Sequence, residues 1–219
     1  MMNTHSNHAQ SPRRIIGLTG GIGMGKTTVS SYLATVHHLP ILDADVYSRE
    51  AVEAGSPVLG EVVERYGSGL LLPDGTLDRH RLGDIIFSSP PERLWLEQRI
   101  HPYVRDRFVS AMRSLTTEIP PQLIIVLVIP LLFEARMTDL VTETWVVRCP
   151  PEQQMEWLRQ RDRLSLQQAR VRIDSQMSIQ KKATYADLVL DNNSTLEHLF
   201  QQVDAGLAHI PIRLTAPRG

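Results

Sequence analysis

Between a short apolar run and a helix-like segment lies Gly-Gly-Ile-Gly-Met-Gly-Lys-Thr, residues 20–27. The stretch satisfies G-x-x-x-x-G-K-[ST] at every position. Gly20, Gly21, Gly23 and Gly25 permit backbone angles and close approach that a Cβ would block. The loop, Ile22 included, can then turn its N–H groups inward as an anion nest, with Met24 contributing mainly its backbone N–H. A helix starting near Lys26 points its positive end at the same spot. Lys26 can reach the β- and γ-phosphates of a nucleotide as a point charge, and the Thr27 hydroxyl can ligate Mg²⁺. The expected ATP-contacting run is therefore Gly20 to Thr28. A merely flexible glycine-rich turn leaves the flanking strand and helix unexplained. A dinucleotide-binding loop needs glycine at the last position of G-x-G-x-x-G, where residues 21–26 place Lys26.

The flanking pattern defines the fold class. Ile15–Thr19 reads as a strand, Lys26–Thr35 as a helix with Val29, Leu33 and Val36 at helical spacing, and Pro40–Leu42 as a second strand. Strand, loop, helix and strand make a βαβ unit, from which parallel sheets are built. The stretch from Tyr47 to about Glu118 is helix-rich, with turns at Gly55-Ser56-Pro57 and Pro73-Asp74-Gly75. One helix is expected over Glu92–Ile100, and another after His101-Pro102 to about Ser114. Leu123–Ile129 is continuously apolar, as a central strand buried on both faces must be. Thr144–Val147 and Leu188–Leu190 are further strands. Pro151–Arg161, Ser165–Met177 and Leu196–Leu207 are further helices. The alternation predicts an α/β doubly wound sheet with helices on both faces.

Composition narrows the partners. A net charge of −1 and a pI near 6.7 argue against a nucleic-acid binder. The longest apolar run, Leu123 to Leu132, is half the length a membrane span needs and contains Pro130. The polar opening, MMNTHSNHAQSPRR, has no apolar core of a secretory signal and reads as a disordered leader. The lone Cys149 excludes an internal disulfide and suits a reducing cytoplasm. Neither Cys149 nor the eight histidines show metal-site spacing. Nothing in the pattern speaks to oligomeric state.

Asp43 and Asp45 follow the second strand, at the carboxyl edge where open α/β sheets bind ligands. Two carboxylates beside a phosphate site suit Mg²⁺ positioning and proton abstraction from a hydroxyl. An aspartate N-cap on the next helix is the plain alternative. A GTPase would show Asn/Thr-Lys-x-Asp after a later strand, and none is present. A motor ATPase would end a hydrophobic strand in acid, whereas Leu123–Ile129 runs into Pro130-Leu131-Leu132-Phe133-Glu134.

In order and spacing, Gly17–Thr27, Asp43-Ala44-Asp45, His101-Pro102, Pro130–Glu134 and Asp187–Asn192 resemble the dephospho-CoA kinase family over roughly residues 14–208. The family's loop usually has Ser at positions 24 and 27; Met24 departs, and Thr27 keeps the hydroxyl. The resemblance implies a three-layer P-loop fold with a central parallel sheet, a helical substrate-binding insertion and a small lid. Its core would span 14–45, 120–150 and 186–208, the insertion about 46–119 and the lid about 151–185, with a leader over 1–13 and a tail over 209–219. It implies phosphorylation of the ribose 3′-hydroxyl of dephospho-CoA by ATP with Mg²⁺.

By that resemblance Asp45 is the general base and Asp43 an orienting or Mg²⁺-linked residue on the substrate side. His101, Arg105 and Glu134 are assigned to substrate binding, and Asn192 to the edge of the adenine pocket. Without the family, His101-Pro102 would read as a helix start, and Glu134 could equally structure the site. Lid arginines neutralise charge that develops in transfer. Here Arg161 takes the second such position, while Trp157 stands where the first is expected and Arg159 is its neighbouring substitute. Gln176 and Lys182 fall in the lid without an assigned chemistry. Another small-molecule kinase and a non-catalytic nucleotide switch remain as alternatives, separable by acceptor-dependent ADP release. Lys26→Ala is expected to weaken phosphate handling, and wild-type turnover in that variant would contradict the loop assignment.

Overall fold

The computed structural model describes residues 14–117 and 124–209. The proposed leader, the start of the predicted strand at Leu123 and the tail beyond residue 209 lie outside them. The chain runs β1 (Arg14–Gly20), α1 (Lys26–Thr35), β2 (Ile41–Asp43), α2 (Ala44–Glu50), α3 (Pro57–Tyr66), α4 (Arg79–Ser88) and α5 (Pro90–Thr117). It continues through β3 (Ile124–Val128), β4 (Glu143–Arg148), α6 (Pro151–Asp162), α7 (Leu166–Asp174), α8 (Ile179–Thr184), β5 (Leu188–Asp191) and α9 (Leu196–Ala208). Described residues up to Leu42 and from Met112 onward form one compact unit, and Asp43–Ala111 form a second.

In the first unit the sheet has the order β2-β3-β1-β4-β5. β1 runs parallel to both β3 and β4, with Leu18 facing Val128 on one side and Trp145 on the other. β4 runs parallel to β5, with Val147 facing Leu190. Alternate strand residues, Ile16, Leu18, Val126, Val128, Trp145 and Val147, form one core with Val29 and Leu33 of α1 and Leu199 and Val203 of α9. The intervening residues Ile125, Leu127 and Val146 are also buried. Both sheet faces are therefore covered, as the unbroken apolar run over β3 requires. Val36, placed by its spacing on the α1 face, instead follows the helix as its C-cap and is exposed.

One buried ion pair ties the sheet to its last helix. Arg14 Nε lies 2.5 Å from Glu143 Oε1 and its Nη2 3.0 Å from Oε2. The same guanidinium donates to the carbonyls of Gly206 and Leu207 at 3.0 and 2.8 Å. Those carbonyls belong to the last turn of α9, whose negative end favours a cation. Trp145 Nε1 donates to Glu143 Oε2 at 3.0 Å, so the carboxylate is well satisfied.

The second unit has its own core of Val52, Val58, Leu59, Val62, Leu70, Leu77, Leu82 and Leu96. Arg65 and Arg99 lie over the Trp95 ring at 4.6 and 3.9 Å. Arg65, with the Tyr66 hydroxyl, holds the Glu92 carboxyl down at about 2. The two helices expected to break at His101-Pro102 are one continuous helix, α5, with Pro102 inside it. Proline forfeits its N–H and crowds the preceding turn. Buried residues at i, i+8 and i+12 (Leu96, Val104 and Phe108) bracket it and carry the helix through. The strand expected over Pro40–Leu42 is displaced by one residue and ends on Asp43. Ser165 caps α7 through a reciprocal capping box with Gln168, and the helix stops at Asp174 rather than Met177.

Arg14→Met leaves Glu143 buried without its cation. We expect a loss of about 3 kcal/mol in stability, read from the urea midpoint.

Candidate active site

β1 delivers the chain to Gly20, at the carboxyl edge of the central strand. A Cβ on Gly20 would lie 2.3 Å from the Val147 carbonyl oxygen, so the loop leaves the sheet by a path only glycine can take. Gly25 closes the loop at φ +97°, the left-handed region, and is the N-cap of α1 with no side-chain capping bond. A Cβ there would meet Asn192 Nδ2 at 2.3 Å. Lys26 Nζ lies back over the loop, donating to the carbonyls of Gly20 and Gly21 at 3.2 and 2.8 Å. Thr27 is exposed and Thr28 half-buried in the first turn of α1.

Met24 departs from its expected role. Its N–H points to Gly21 O at 3.3 Å, and its side chain is 1% exposed. A Cβ on Gly21 would lie 2.8 Å from the Met24 sulfur, so the thioether fills the underside of the loop. Asn192 donates from Nδ2 to Met24 O at 3.1 Å and is itself buried. Its amide thus braces the loop. The next residue, Asn193, lines a cavity of about 230 Å³ with Arg148, Cys149, Pro150, Ile179 and Gln180. Burial pushes the Cys149 thiol up to about 11, so it is inert as a nucleophile at neutral pH.

Two glutamines hold Ile22 from both sides: Gln176, to which the sequence assigns no chemistry, and Gln154. Gln154 Nε2 donates to Ile22 O at 2.8 Å, and Ile22 N–H donates to Gln176 Oε1 at 3.0 Å. Gln154 is 5% exposed although it sits on the polar helix α6. A buried uncharged polar residue on a charged helix has no signature in sequence alone. Glu134 Oε1 lies 3.0 Å from Lys182 Nζ and accepts from the Met177 N–H at 2.9 Å.

Arg161 is exposed and forms a two-point pair with the adjacent Asp162, at 2.7 and 3.0 Å. Arg172 Nη1 reaches the same carboxylate at 2.9 Å. Arg161 first, then Arg172, holds the Asp162 carboxyl below the ordinary range. Arg159 Nε points to Leu164 O at 3.4 Å, and Arg159 and Arg163 line a groove with Glu152 and Glu156. Trp157 is half-buried on the same helix.

The other expected residues belong to the second unit. Asp43 is the N-cap of α2, its Oδ1 accepting the Asp45 N–H at 2.8 Å. Asp45 is exposed in the first turn of that helix. The capping reading therefore holds for Asp43 and leaves the Asp45 carboxylate facing solvent. His101 and Arg105 stand one turn apart on α5, on one face. Burial pushes His101 below its ordinary pKa, against a smaller opposing pull from Glu97. Its neutral imidazole can donate or accept a hydrogen bond. Among the described residues no three His, Cys, Asp or Glu side chains cluster to cage a metal. A single exposed threonine hydroxyl at a phosphate loop matches a hard cation that takes its other ligands from phosphate and water.

A sequence model of the dephospho-CoA kinase family matches residues 14–198. The chain belongs to the dephospho-CoA kinase family. It is 57% identical over 195 residues to the dephospho-CoA kinase of Trichormus variabilis, covering 89% of this chain and 97% of that protein. A solved protein of Thermus thermophilus superposes with a TM-score of 0.74 at 32% identity, over 89% of this chain and 96% of the other. The dephospho-CoA kinase of Campylobacter jejuni superposes with a TM-score of 0.65 at 25% identity, over 88% and 94%. Family membership and the parallel sheet make the fold that of a P-loop kinase.

Gly25→Ala forces a Cβ into both a left-handed backbone and the Asn192 amide. We expect ATP affinity to fall at least about tenfold as the loop relaxes from that turn, with the thermal midpoint down by a few degrees, because left-handed strain alone costs about 1–2 kcal/mol. Calorimetric titration with ATP checks it.

Proposed function

We propose that this chain transfers the γ-phosphoryl group of ATP to the ribose 3′-hydroxyl of dephospho-CoA, giving coenzyme A and ADP, the last step of coenzyme A biosynthesis. The observation that carries it is the family match over residues 14–198 with an intact phosphate loop at residues 20–27. No helix among the described residues is long and apolar enough to cross a membrane. A cytoplasmic setting accords with a water-soluble substrate pair.

Transfer of this kind needs positioning and charge stabilisation more than covalent chemistry. The Gly20–Thr28 backbone and the start of α1 cradle the phosphates, and Lys26 moves from the loop carbonyls onto the β- and γ-phosphates. Thr27 and the phosphate oxygens would hold Mg²⁺, which would neutralise charge on the transferring group. The 3′-hydroxyl oxygen attacks the γ-phosphorus, its proton passes to the Asp45 carboxylate, and ADP departs. Asp43 orients Asp45 through the capping bond to its N–H. His101 and Arg105 bind the acceptor from α5, the imidazole by hydrogen bonding and the guanidinium by charge. Arg161, released from Asp162, supplies positive charge to the transition state, with Arg159 beside it in place of the residue displaced by Trp157. Asn192 reaches the nucleotide indirectly, through Met24.

An assay of ADP release across acceptors tests the reading. Turnover on a nucleotide acceptor with none on dephospho-CoA would sink it. Asp45→Asn is expected to keep ATP affinity and lower kcat roughly a hundredfold or more, the usual worth of a general base. An unchanged kcat would remove Asp45 from that role.

A further inference from the structure

The Lys182 side chain is fully buried, 0% exposed. A buried ammonium is costly unless it is paired and hydrogen-bonded. Its Nζ donates to Pro130 O at 2.7 Å and lies 3.0 Å from Glu134 Oε1. Burial pushes Lys182 below its ordinary pKa, and Glu134 pulls the other way. Both partners sit just past β3. Pro130 O also accepts from Thr19 Oγ1 at 3.1 Å, and Thr19 directly precedes the phosphate loop. On the other side of the pair, Glu134 Oε1 takes the Met177 N–H. One residue earlier, Gln176 holds the Ile22 N–H. The contacts form a closed circuit: from Thr19 through Pro130, Lys182 and Glu134 to Met177, and from Gln176 back to Ile22.

Stability does not account for this pair. Glu134 Oε2 is buried and has no hydrogen-bond partner among the described residues. The Glu134 side chain is half-buried against the fully buried Lys182. Replacing such a pair by apolar residues is often neutral or stabilising. What the pair supplies is placement. It fixes the chain at Met177 relative to the end of β3, and so fixes where Gln176 meets the loop.

We propose that Glu134 and Lys182 are positioning residues for the phosphate-binding loop, acting through Gln176 on the Ile22 backbone. Glu134 then serves the ATP side of the reaction, not the acceptor side. With Gln154 on the opposite edge, Ile22 has both its N–H and its carbonyl tied to residues of the segment after β4. The inference rests on the kinase reading above.

Gln176→Ala, Glu134→Leu and the double variant test it, with KM for each substrate from steady-state rates and the dissociation constant of ATP from calorimetry. Each single change is expected to raise the KM and dissociation constant for ATP roughly fivefold, the worth of one neutral hydrogen bond. The KM for dephospho-CoA stays unchanged. The double variant is no worse than the weaker single, because Glu134 acts through Gln176. Multiplied effects, about 25-fold in the double variant, would overturn the proposal. So would a raised KM for dephospho-CoA with ATP binding intact. Should Glu134→Leu not fold alone, its combination with Lys182→Met removes the pair while keeping the interior filled, and the same outcomes apply. Wild-type protein without acceptor-dependent ADP release would sink the kinase reading alone, since calorimetric ATP binding still reads the circuit.

Discussion

A phosphate cradle needs backbone N–H groups turned toward solvent with no side chain in the way, and such a loop has no interior of its own. Everything around residues 20–27 answers that problem. Gly20 passes under the Val147 carbonyl and Gly25 takes a left-handed turn against Asn192, where any Cβ would collide. Met24 packs its sulfur beneath the loop, and the buried amides of Asn192 and Gln154, with the half-buried amide of Gln176, tie down the polar backbone groups that face inward. Glycine gives the loop its shape at the expense of chain entropy, and the surrounding side chains restore order.

The sheet exists to hold those side chains at one edge. Because β1 is flanked by β3 and β4, the strand that feeds the loop is paired on both sides. β4 contributes the carbonyl over Gly20, the residues after β5 contribute Asn192, and the end of β3 contributes Pro130 and Glu134. Both faces are sealed by apolar residues, so these ends cannot drift without opening the core. The Arg14–Glu143 pair joins the sheet to α9 and is satisfied at nearly every donor, which makes it different in kind from the half-satisfied Glu134–Lys182 pair.

Much of this was legible from residue order. The loop pattern, the apolar run over β3 and the βαβ opening led to the parallel sheet without reference to coordinates. Asp43 and Asp45 were recognisable as a pair at a strand end, although which of them caps α2 was not. The helix break at His101-Pro102 was misread because a proline in one turn weighs less than buried residues at Leu96, Val104 and Phe108 on both sides of it. The motif implies mainly a backbone part for Met24 because a motif has no depth: nothing in G-x-x-x-x-G-K-T says which side of the loop is packed.

By itself the sequence determined that residues 20–27 carry the phosphate-loop pattern and that the sheet is parallel, and its motifs resembled the dephospho-CoA kinase family. The loop pattern and the sheet depend on local spacing and apolar runs, which are properties of neighbouring residues. Only the tertiary structure decided that Gln154 and Gln176 grip Ile22, that Asn192 braces Met24 and that Glu134 is paired with a fully buried Lys182. Those contacts join residues between 48 and 168 positions apart, such as Glu134 with Lys182 and Met24 with Asn192. A polar side chain shows its purpose only when burial removes water and leaves it one partner, and burial is set by the packed sheet.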